Sequence, residues 1–149
     1  MSAPLGESSL GALLATLHTT MHPSTFVFST FPLPSPPPAP LKDLAQMVFK
    51  EAEGTTLITT LQDAESHGVQ GYTFPCRMIT CEVHSSLEAV GFMAVIATRL
   101  AQKGMGVNPV SGFFHDHLFV PLGREEQALQ CLEELAKENS NMSKGEEAG

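Results

Sequence analysis

Residues 77–92 read RMITCEVHSSLEAVGF, and this stretch decides the fold class. Its first half alternates, so that Ile79, Cys81 and Val83 share one face, which is the pattern of a half-buried β-strand. Its second half places Ser85 three residues before Glu88, which fits the capping box S-x-x-E at the start of a helix. The stretch therefore predicts a strand that leads directly into a helix.

The predicted helix continues beyond this stretch and ends at Gly104. Arg99 and Lys103 favour its C-terminal end, where positive charge complements the helix dipole. One stripe of apolar and small residues is predicted to pack closely on a sheet; it consists of Leu87, Gly91, Ala94, Val95, Thr98 and Ala101.

Both halves of the chain place a hairpin before a helix. In the second half, the predicted strand and helix are followed by strands over 107–114 and 118–120 and a helix over 125–137. In the first half, the predicted elements are a helix over 8–20, a strand over 25–31, a hairpin over 47–52 and 55–60 that turns at Gly54, a helix over 61–67 and a brief strand over 72–74. This order is ferredoxin-like. The predicted fold class is α+β, with two ferredoxin-like units in tandem and helices on one face of antiparallel sheets.

Composition shifts suggest the domain boundaries. The predicted segments are a disordered N-terminus over 1–7, a first unit over 8–75, a second unit over 76–137 and a disordered acidic tail over 138–149. The first unit contains the segment PLPSPPPAP over 32–40, which predicts a polyproline II spacer. Whether this segment is also a recognition motif stays open.

Charge and cysteine usage exclude several classes of protein. The chain of 149 residues has 16 acidic and 8 basic side chains, and the basic ones are scattered, so no nucleic acid is expected as a partner. No apolar run reaches the roughly 20 residues of a membrane span. Three cysteines without CxxC spacing predict free thiols in a reducing, cytoplasmic setting.

Four motifs together resemble a family of small tandem ACT-domain proteins that was long catalogued as a domain of unknown function. They are FVFSTF at 26–31, FKEAEGTTLI at 49–58, RMITCEVHSSLEAVGF at 77–92 and FFHDHLFVP at 113–121. Within them, EAEGTTLI, VHSSLEAVG and HDHLFVP carry most of the likeness, which extends over roughly residues 8–136. The resemblance implies two ACT-like units, dimerisation and kinship with domains that sense amino acids.

The predicted topology brings polar residues to one end of the sheet in each unit. Backbone N–H groups near Leu87 and Glu88 are placed to hold a carboxylate, and Asp116, Glu51 or Glu53 to hold an ammonium group. The candidate ligand-binding residues are His84, Ser85, Ser86, Leu87, Glu88, His115, Asp116, His117, Glu51 and Glu53. The alternative is that Ser85 and Glu88 only cap the helix.

The segment His115-Asp116-His117 also raises the possibility of metal chemistry. Two histidines at i and i+2 share a face on a strand and chelate zinc in some proteins, with Asp116 or His84 as the further ligand here. A turn does not preserve that alternation, so hydrogen bonding within the hairpin is the preferred interpretation, and no metal or cofactor is predicted. No Gly-x-Ser-x-Gly motif is present, and no catalytic residue is predicted.

The sequence thus favours a non-enzymatic ACT-domain protein that binds a small molecule such as an amino acid and serves as a regulatory or sensor module. A homodimer is expected, and the chain holds no output domain, so a partner protein would carry the signal. Two alternatives stay open: a metal-dependent enzyme that uses the His115–His117 hairpin, and a structural partner subunit without a ligand.

Overall fold

The computed structural model describes residues 9–83 and 87–147, with side chains through residue 142. The elements in chain order are α1 (Leu10–Ala15), β1 (Thr19–Pro32), α2 (Ala39–Leu44), β2 (Met47–Glu51), β3 (Gly54–Thr60), α3 (Leu61–Ser66), β4 (Thr73–Cys81), α4 (Phe92–Gln102), β5 (Asn108–Ser111), β6 (Asp116–Pro121) and α5 (Glu125–Glu147). No helix among these residues combines the length and the apolar character that a membrane crossing requires.

The chain divides into two compact units. The central unit is Pro23–Arg77, and the terminal unit consists of the described residues up to His22 and those from Met78 onward. The unit boundaries fall inside β1 and inside β4, so each of these strands contributes residues to both units. This division differs from the expected 8–75 and 76–137, because α1 packs in the terminal unit.

The central unit is built around the predicted hairpin. The strand order is β2-β3-β1-β4, which is the ferredoxin-like arrangement, and β3 is antiparallel to both β2 and β1. Helices α2 and α3 contact each other and β3. The Thr60 hydroxyl accepts a hydrogen bond from the Asp63 backbone N–H at 3.1 Å and so caps α3. The predicted hairpin and the predicted short helix are both confirmed.

The terminal unit has the strand order β4-β6-β5. Helices α1, α4 and α5 share one core with β4 and β6, as expected for helices packed on one face of a sheet. The alternation of Ile79, Cys81 and Val83 toward this core is confirmed. Leu13 and Leu14 are buried in the same core, which explains why α1 belongs to this unit.

The predicted start and packing face of α4 are wrong. The helix begins at Phe92 after Gly91, whose φ of +89° is left-handed, whereas Leu87 and Glu88 lie in a turn. The buried residues of α4 are Phe92, Ile96 and Leu100, and Ala94, Thr98 and Ala101 of the predicted stripe are exposed. The bulky side chains bury more apolar area than the small ones, and this decides which face packs.

Several other boundaries differ from expectation. Helix α1 is shorter than 8–20, β1 begins at Thr19 rather than residue 25, and β4 is continuous where two strands were predicted around Pro75. The predicted disordered tail from residue 138 is wrong, because α5 continues to Glu147. The Arg99 guanidinium donates two hydrogen bonds to the Glu138 carboxylate, at 3.0 and 2.7 Å, and this ion pair links the extended α5 to α4.

The proline-rich segment occupies less of the chain than predicted. Pro32 ends β1, and Ala39 and Pro40 form the first turn of α2, so the connection itself covers only residues 33–38. Proline suits the first turn of a helix, where its missing N–H would have no partner within the helix.

Candidate functional site

Asp116 places a buried carboxylate at the start of β6. Its side chain is 7% exposed, and the Ser111 hydroxyl donates a hydrogen bond to its Oδ1 atom at 2.5 Å. Ser111 and Asp116 are cross-strand partners at the end of the β5–β6 hairpin. Burying a charge is costly unless it is paired or hydrogen-bonded, and the Ser111 hydroxyl supplies such a hydrogen bond here.

The tip of the hairpin lies beside the end of β4. The Gly112 N–H donates to the His115 carbonyl at 2.9 Å, which closes the turn between β5 and β6. The His115 Nδ1 atom lies 3.5 Å from the Val83 carbonyl oxygen. His115 therefore lies beside the residues that directly follow β4, whereas the predicted neighbour of the hairpin, the loop His84-Ser85-Ser86, lies outside the described residues.

His117 is half-buried and bonded to the neighbouring strand. Its Nδ1 atom lies 2.9 Å from the Thr80 hydroxyl on β4. Burial lowers the pKa of His117 below its usual value, and positive charge on His115 lowers this pKa further, whereas Asp116 raises it. The neutral imidazole is thus the form that the folded protein favours.

This lowered pKa predicts an acid-sensitive fold. Below the unfolded pKa of about 6.5, the unfolded chain binds a proton at residue 117 that the folded protein resists, so stability falls as the pH falls. Above about pH 6.5 the contribution of His117 to the free energy of unfolding no longer changes with pH.

In His117→Gln, we expect the free energy of unfolding to fall less between pH 7.5 and pH 5 than it does in the wild type, as measured by urea denaturation. Substitution of the exposed His67 by Gln is the control, and an equal effect in both variants would contradict the prediction.

The candidate residues before α4 are only partly described. His84, Ser85 and Ser86 lie outside the described residues. Leu87 and Glu88 are exposed, and neither lies at the helix start. The N–H groups that lack partners within the helix therefore belong to the first turn from Phe92, and not to Leu87 and Glu88 as predicted.

Glu51 and Glu53 belong to the central unit. The Thr56 hydroxyl donates a short hydrogen bond to Glu51 Oε1 across the β2–β3 hairpin. Glu53 is exposed in the turn, and its backbone carbonyl accepts a hydrogen bond from the Leu33 N–H at 3.1 Å. Asp116 and Glu51 are therefore both bonded to a hydroxyl group within their own hairpins.

Metal-binding and thiol chemistry receive little support from the described residues. Within residues 9–83 and 87–142, no three His, Cys, Asp or Glu side chains are grouped so as to hold a metal ion. All three cysteines are free and buried, and burial raises the pKa of Cys76 and Cys81 to about 12. These thiols are core residues rather than nucleophiles.

Three contributors to this site were missed from the sequence: Thr80, Val83 and Ser111. Thr80 contacts His117, Ser111 donates to Asp116, and the Val83 carbonyl lies beside His115. A correct prediction of the β5–β6 register would have identified Ser111, because Ser111 is the strand partner of Asp116. The turn was predicted at His115-Asp116-His117, whereas Asp116 and His117 are already part of β6.

Comparison with known proteins gives a consistent picture of the fold. One sequence model of the ACT domain matches residues 5–77 and a second matches residues 73–134. Comparison with curated proteins gives no match. ACT domains are ligand-binding regulatory modules, and the matched models therefore describe a regulatory architecture.

Solved structures extend the comparison. A Vibrio cholerae protein of unknown function, described as a possible transport protein, is 35% identical, with 87% of this chain and 97% of that chain covered at a TM-score of 0.74. An Agrobacterium tumefaciens protein is 15% identical, with coverage of 80% and 89% and a TM-score of 0.68. The regulatory subunit of aspartate kinase from Thermus flavus is 8% identical, with coverage of 78% and 95% and a TM-score of 0.57. The last two show similarity of fold alone.

Two ACT-domain matches in tandem cover most of the chain, and the Vibrio cholerae protein aligns along nearly its whole length. The ferredoxin-like strand order of the central unit agrees with these matches. The chain belongs to the ACT-domain family and consists of two ACT domains in tandem.

Proposed function

We propose that this protein is a non-enzymatic sensor that binds a free amino acid in the terminal unit, with the β5–β6 hairpin and the start of α4 as its two binding elements. The observation that carries the proposal is the buried carboxylate of Asp116. The two ACT-domain matches support a role in regulation, since ACT domains are ligand-binding regulatory modules.

In this proposal Asp116 binds the ammonium group of the ligand. The Ser111 hydroxyl donates a hydrogen bond to its Oδ1 atom, and both oxygens of an ionised carboxylate are acceptors. A buried carboxylate interacts strongly with a cation because water screens the pair poorly. The hydrogen bond from Ser111 also fixes the orientation of the carboxylate before the ligand arrives.

The ligand carboxylate is proposed to bind at the start of α4. The first turn of an α-helix presents N–H groups without partners inside the helix, and the helix dipole favours an anion there. Gly91 precedes this turn and has no side chain to cap it. His84, Ser85, Ser86, Leu87 and Glu88 on the same connection stay proposed ligand-binding residues.

His115 and His117 complete the proposed site from the hairpin. His115 lies beside the Val83 carbonyl just after the end of β4, and His117 lies beside the Thr80 hydroxyl on β4. Glu51 and Glu53 are proposed as the corresponding acidic residues of the central unit, next to the β2–β3 turn.

Ligand binding is proposed to change an equilibrium between two assembly states of a cytoplasmic homodimer or of its complex with a partner protein. Strands β2 and β5 are the outer strands of their units among the described strands, and such edges pair readily with another chain. A ligand shifts such an equilibrium only through different affinities for the two states.

The test is a screen of the twenty amino acids by thermal shift and calorimetry, with sedimentation for the oligomeric state. At a concentration 100 times Kd, a ligand that binds the folded state stabilises it by about 2.7 kcal/mol. We expect at least one amino acid to stabilise the wild type at millimolar concentration and Asp116→Asn to lose this effect. The exposed Asp43→Asn is the control for removal of a carboxylate.

The isosteric amide should keep the fold, which the melting temperature of the ligand-free variant checks. If no amino acid stabilises the wild type, or if folded Asp116→Asn responds fully, the proposed site is wrong.

A further inference from the structure

We infer that the connection between β1 and α2 is a docking site for a partner protein, which binds it in a groove lined by Trp and Tyr side chains. The connection covers residues 33–38, with the sequence LPSPPP, and it lies wholly within the central unit. All of its residues are exposed except Pro37, which is partly exposed. The amino-acid site proposed on the terminal unit plays no part in this inference.

The residues of this connection hold their own backbone in the polyproline II conformation. Proline fixes φ near about −65°, and a residue that precedes proline is restricted to extended values of ψ. Both restrictions apply to Pro36 and Pro37. Pro38 has φ −56° and ψ 134°, close to the polyproline II values of about −75° and +145°. The central unit therefore presents a short polyproline II segment on its surface.

The segment offers rings and carbonyl groups but no charge. Proline has no backbone N–H, so residues 36–38 present only hydrogen-bond acceptors from their backbone. No Asp, Glu, Lys or Arg occurs between His22 and Lys42. Aromatic side chains pack against proline rings, and the Trp N–H and Tyr O–H groups donate to carbonyl oxygens, as in the grooves of WW domains. The chemistry of the segment therefore fits an aromatic groove that donates hydrogen bonds.

Both ends of the connection are fixed by backbone hydrogen bonds. The Leu33 N–H donates to the Glu53 carbonyl at 3.1 Å, and the Lys42 N–H donates to the Pro38 carbonyl at 3.0 Å. A segment that is already fixed at its ends and restricted in φ and ψ loses little conformational freedom when a partner binds it. A mere spacer would need no such composition, whereas four of these six residues are proline.

The start of α2 limits the kind of groove that can bind. Residues 37–42 (PPAPLK) place two prolines three positions apart and a lysine shortly after them, which is a pattern that SH3 domains bind in extended form. In the structure, however, Ala39–Leu44 is helical and Leu41 is fully buried. Helical residues advance by about 1.5 Å each, instead of about 3.1 Å in polyproline II. An SH3 domain would have to unfold α2, so the structure favours the short groove of a WW domain.

The experiment measures binding of the full chain to a panel of purified WW domains by calorimetry, with SH3 domains as the comparison. We expect at least one WW domain to bind the wild type, and the double variant Pro36→Ala and Pro37→Ala to bind roughly 10-fold more weakly or worse, because it loses two rings and their rigidity. The controls Pro40→Ala and Lys42→Ala change exposed residues of α2 and should alter the dissociation constant by less than about 2-fold. Salt should have a similarly small effect, because the segment is uncharged.

The inference is wrong if no WW domain of the panel binds, or if the folded double variant binds as tightly as the wild type. Binding that Pro40→Ala or Lys42→Ala weakens as much as the double variant would also contradict it, because the docking site would then lie on α2. Melting temperatures establish that each variant is folded. If the double variant melts early, competition by a peptide of prolines against the wild type tests the same groove, and a failure to compete would overturn the inference.

Discussion

Substitution of Leu100 by alanine is expected to lower the free energy of unfolding by about 3 kcal/mol. Leu100 is fully buried, and it lies in the hydrophobic core of the terminal unit together with Ile96 and Phe92 of the same helix. Truncation removes apolar contacts and leaves a cavity that the surrounding strands and helices fill only in part. Urea denaturation measures the loss directly.

The matched control is Thr98→Ala on the same helix. Thr98 is exposed, so its replacement should change the free energy of unfolding by no more than about 0.5 kcal/mol. The pair of variants tests which face of α4 packs, because the stripe predicted from the sequence contains Thr98 and not Leu100. A large loss in Thr98→Ala together with a small loss in Leu100→Ala would contradict the packing described for this helix.

Helix α4 carries two sets of residues that could each form its packing face. The sequence contains two overlapping stripes at helical spacing, one of small residues that includes Ala94 and Thr98 and one of bulky residues that includes Ile96 and Leu100. Periodicity alone ranks them similarly, whereas buried area favours the bulky stripe by a wide margin. The capping box at Ser85 and Glu88 favoured the wrong stripe, because it placed the helix start several residues too early.

Strands and hairpins were more predictable than helix starts. The β2–β3 hairpin and the alternation along β4 follow from local residue patterns, and both are present in the structure. The division of the chain into units was not predictable in the same way. It depends on contacts of α1 with α4 and α5, which are distant in sequence and leave no local pattern.

The candidate site was predictable only as a location. Strand direction was enough to bring the hairpin near the end of β4, and the contact between His115 and Val83 agrees with this. The pairing of Asp116 with Ser111 depends on register, and a shift of one residue would have moved Asp116 to the other face. Sequence patterns do not define strand positions to within one residue, so they did not predict this pairing.

Substitution of Gly54 by alanine is expected to cost about 3 kcal/mol, because a side chain has no space at the start of β3. Gly54 pairs with Pro32 across the β1–β3 ladder. A Cβ atom added at Gly54 would collide with the Phe31 carbonyl oxygen and would lie 2.8 Å from the Pro32 Cα atom. Both obstacles are backbone atoms, so relief requires β1 and β3 to separate locally rather than a side chain to rotate.

The control for this substitution is Gly11→Ala in α1. Gly11 is exposed, and no described atom lies within 4 Å of the position of an added Cβ. Alanine is the better helix former, so this variant should be as stable as the wild type or more stable by about 0.5 kcal/mol. Denaturant unfolding of both variants provides the comparison. Equal stability of Gly54→Ala and Gly11→Ala would mean that β1 and β3 pair less closely at Pro32 and Gly54 than described. A loss confined to Gly54→Ala would instead show that the EAEGTTLI motif requires glycine for the close approach of two backbones, independently of any ligand.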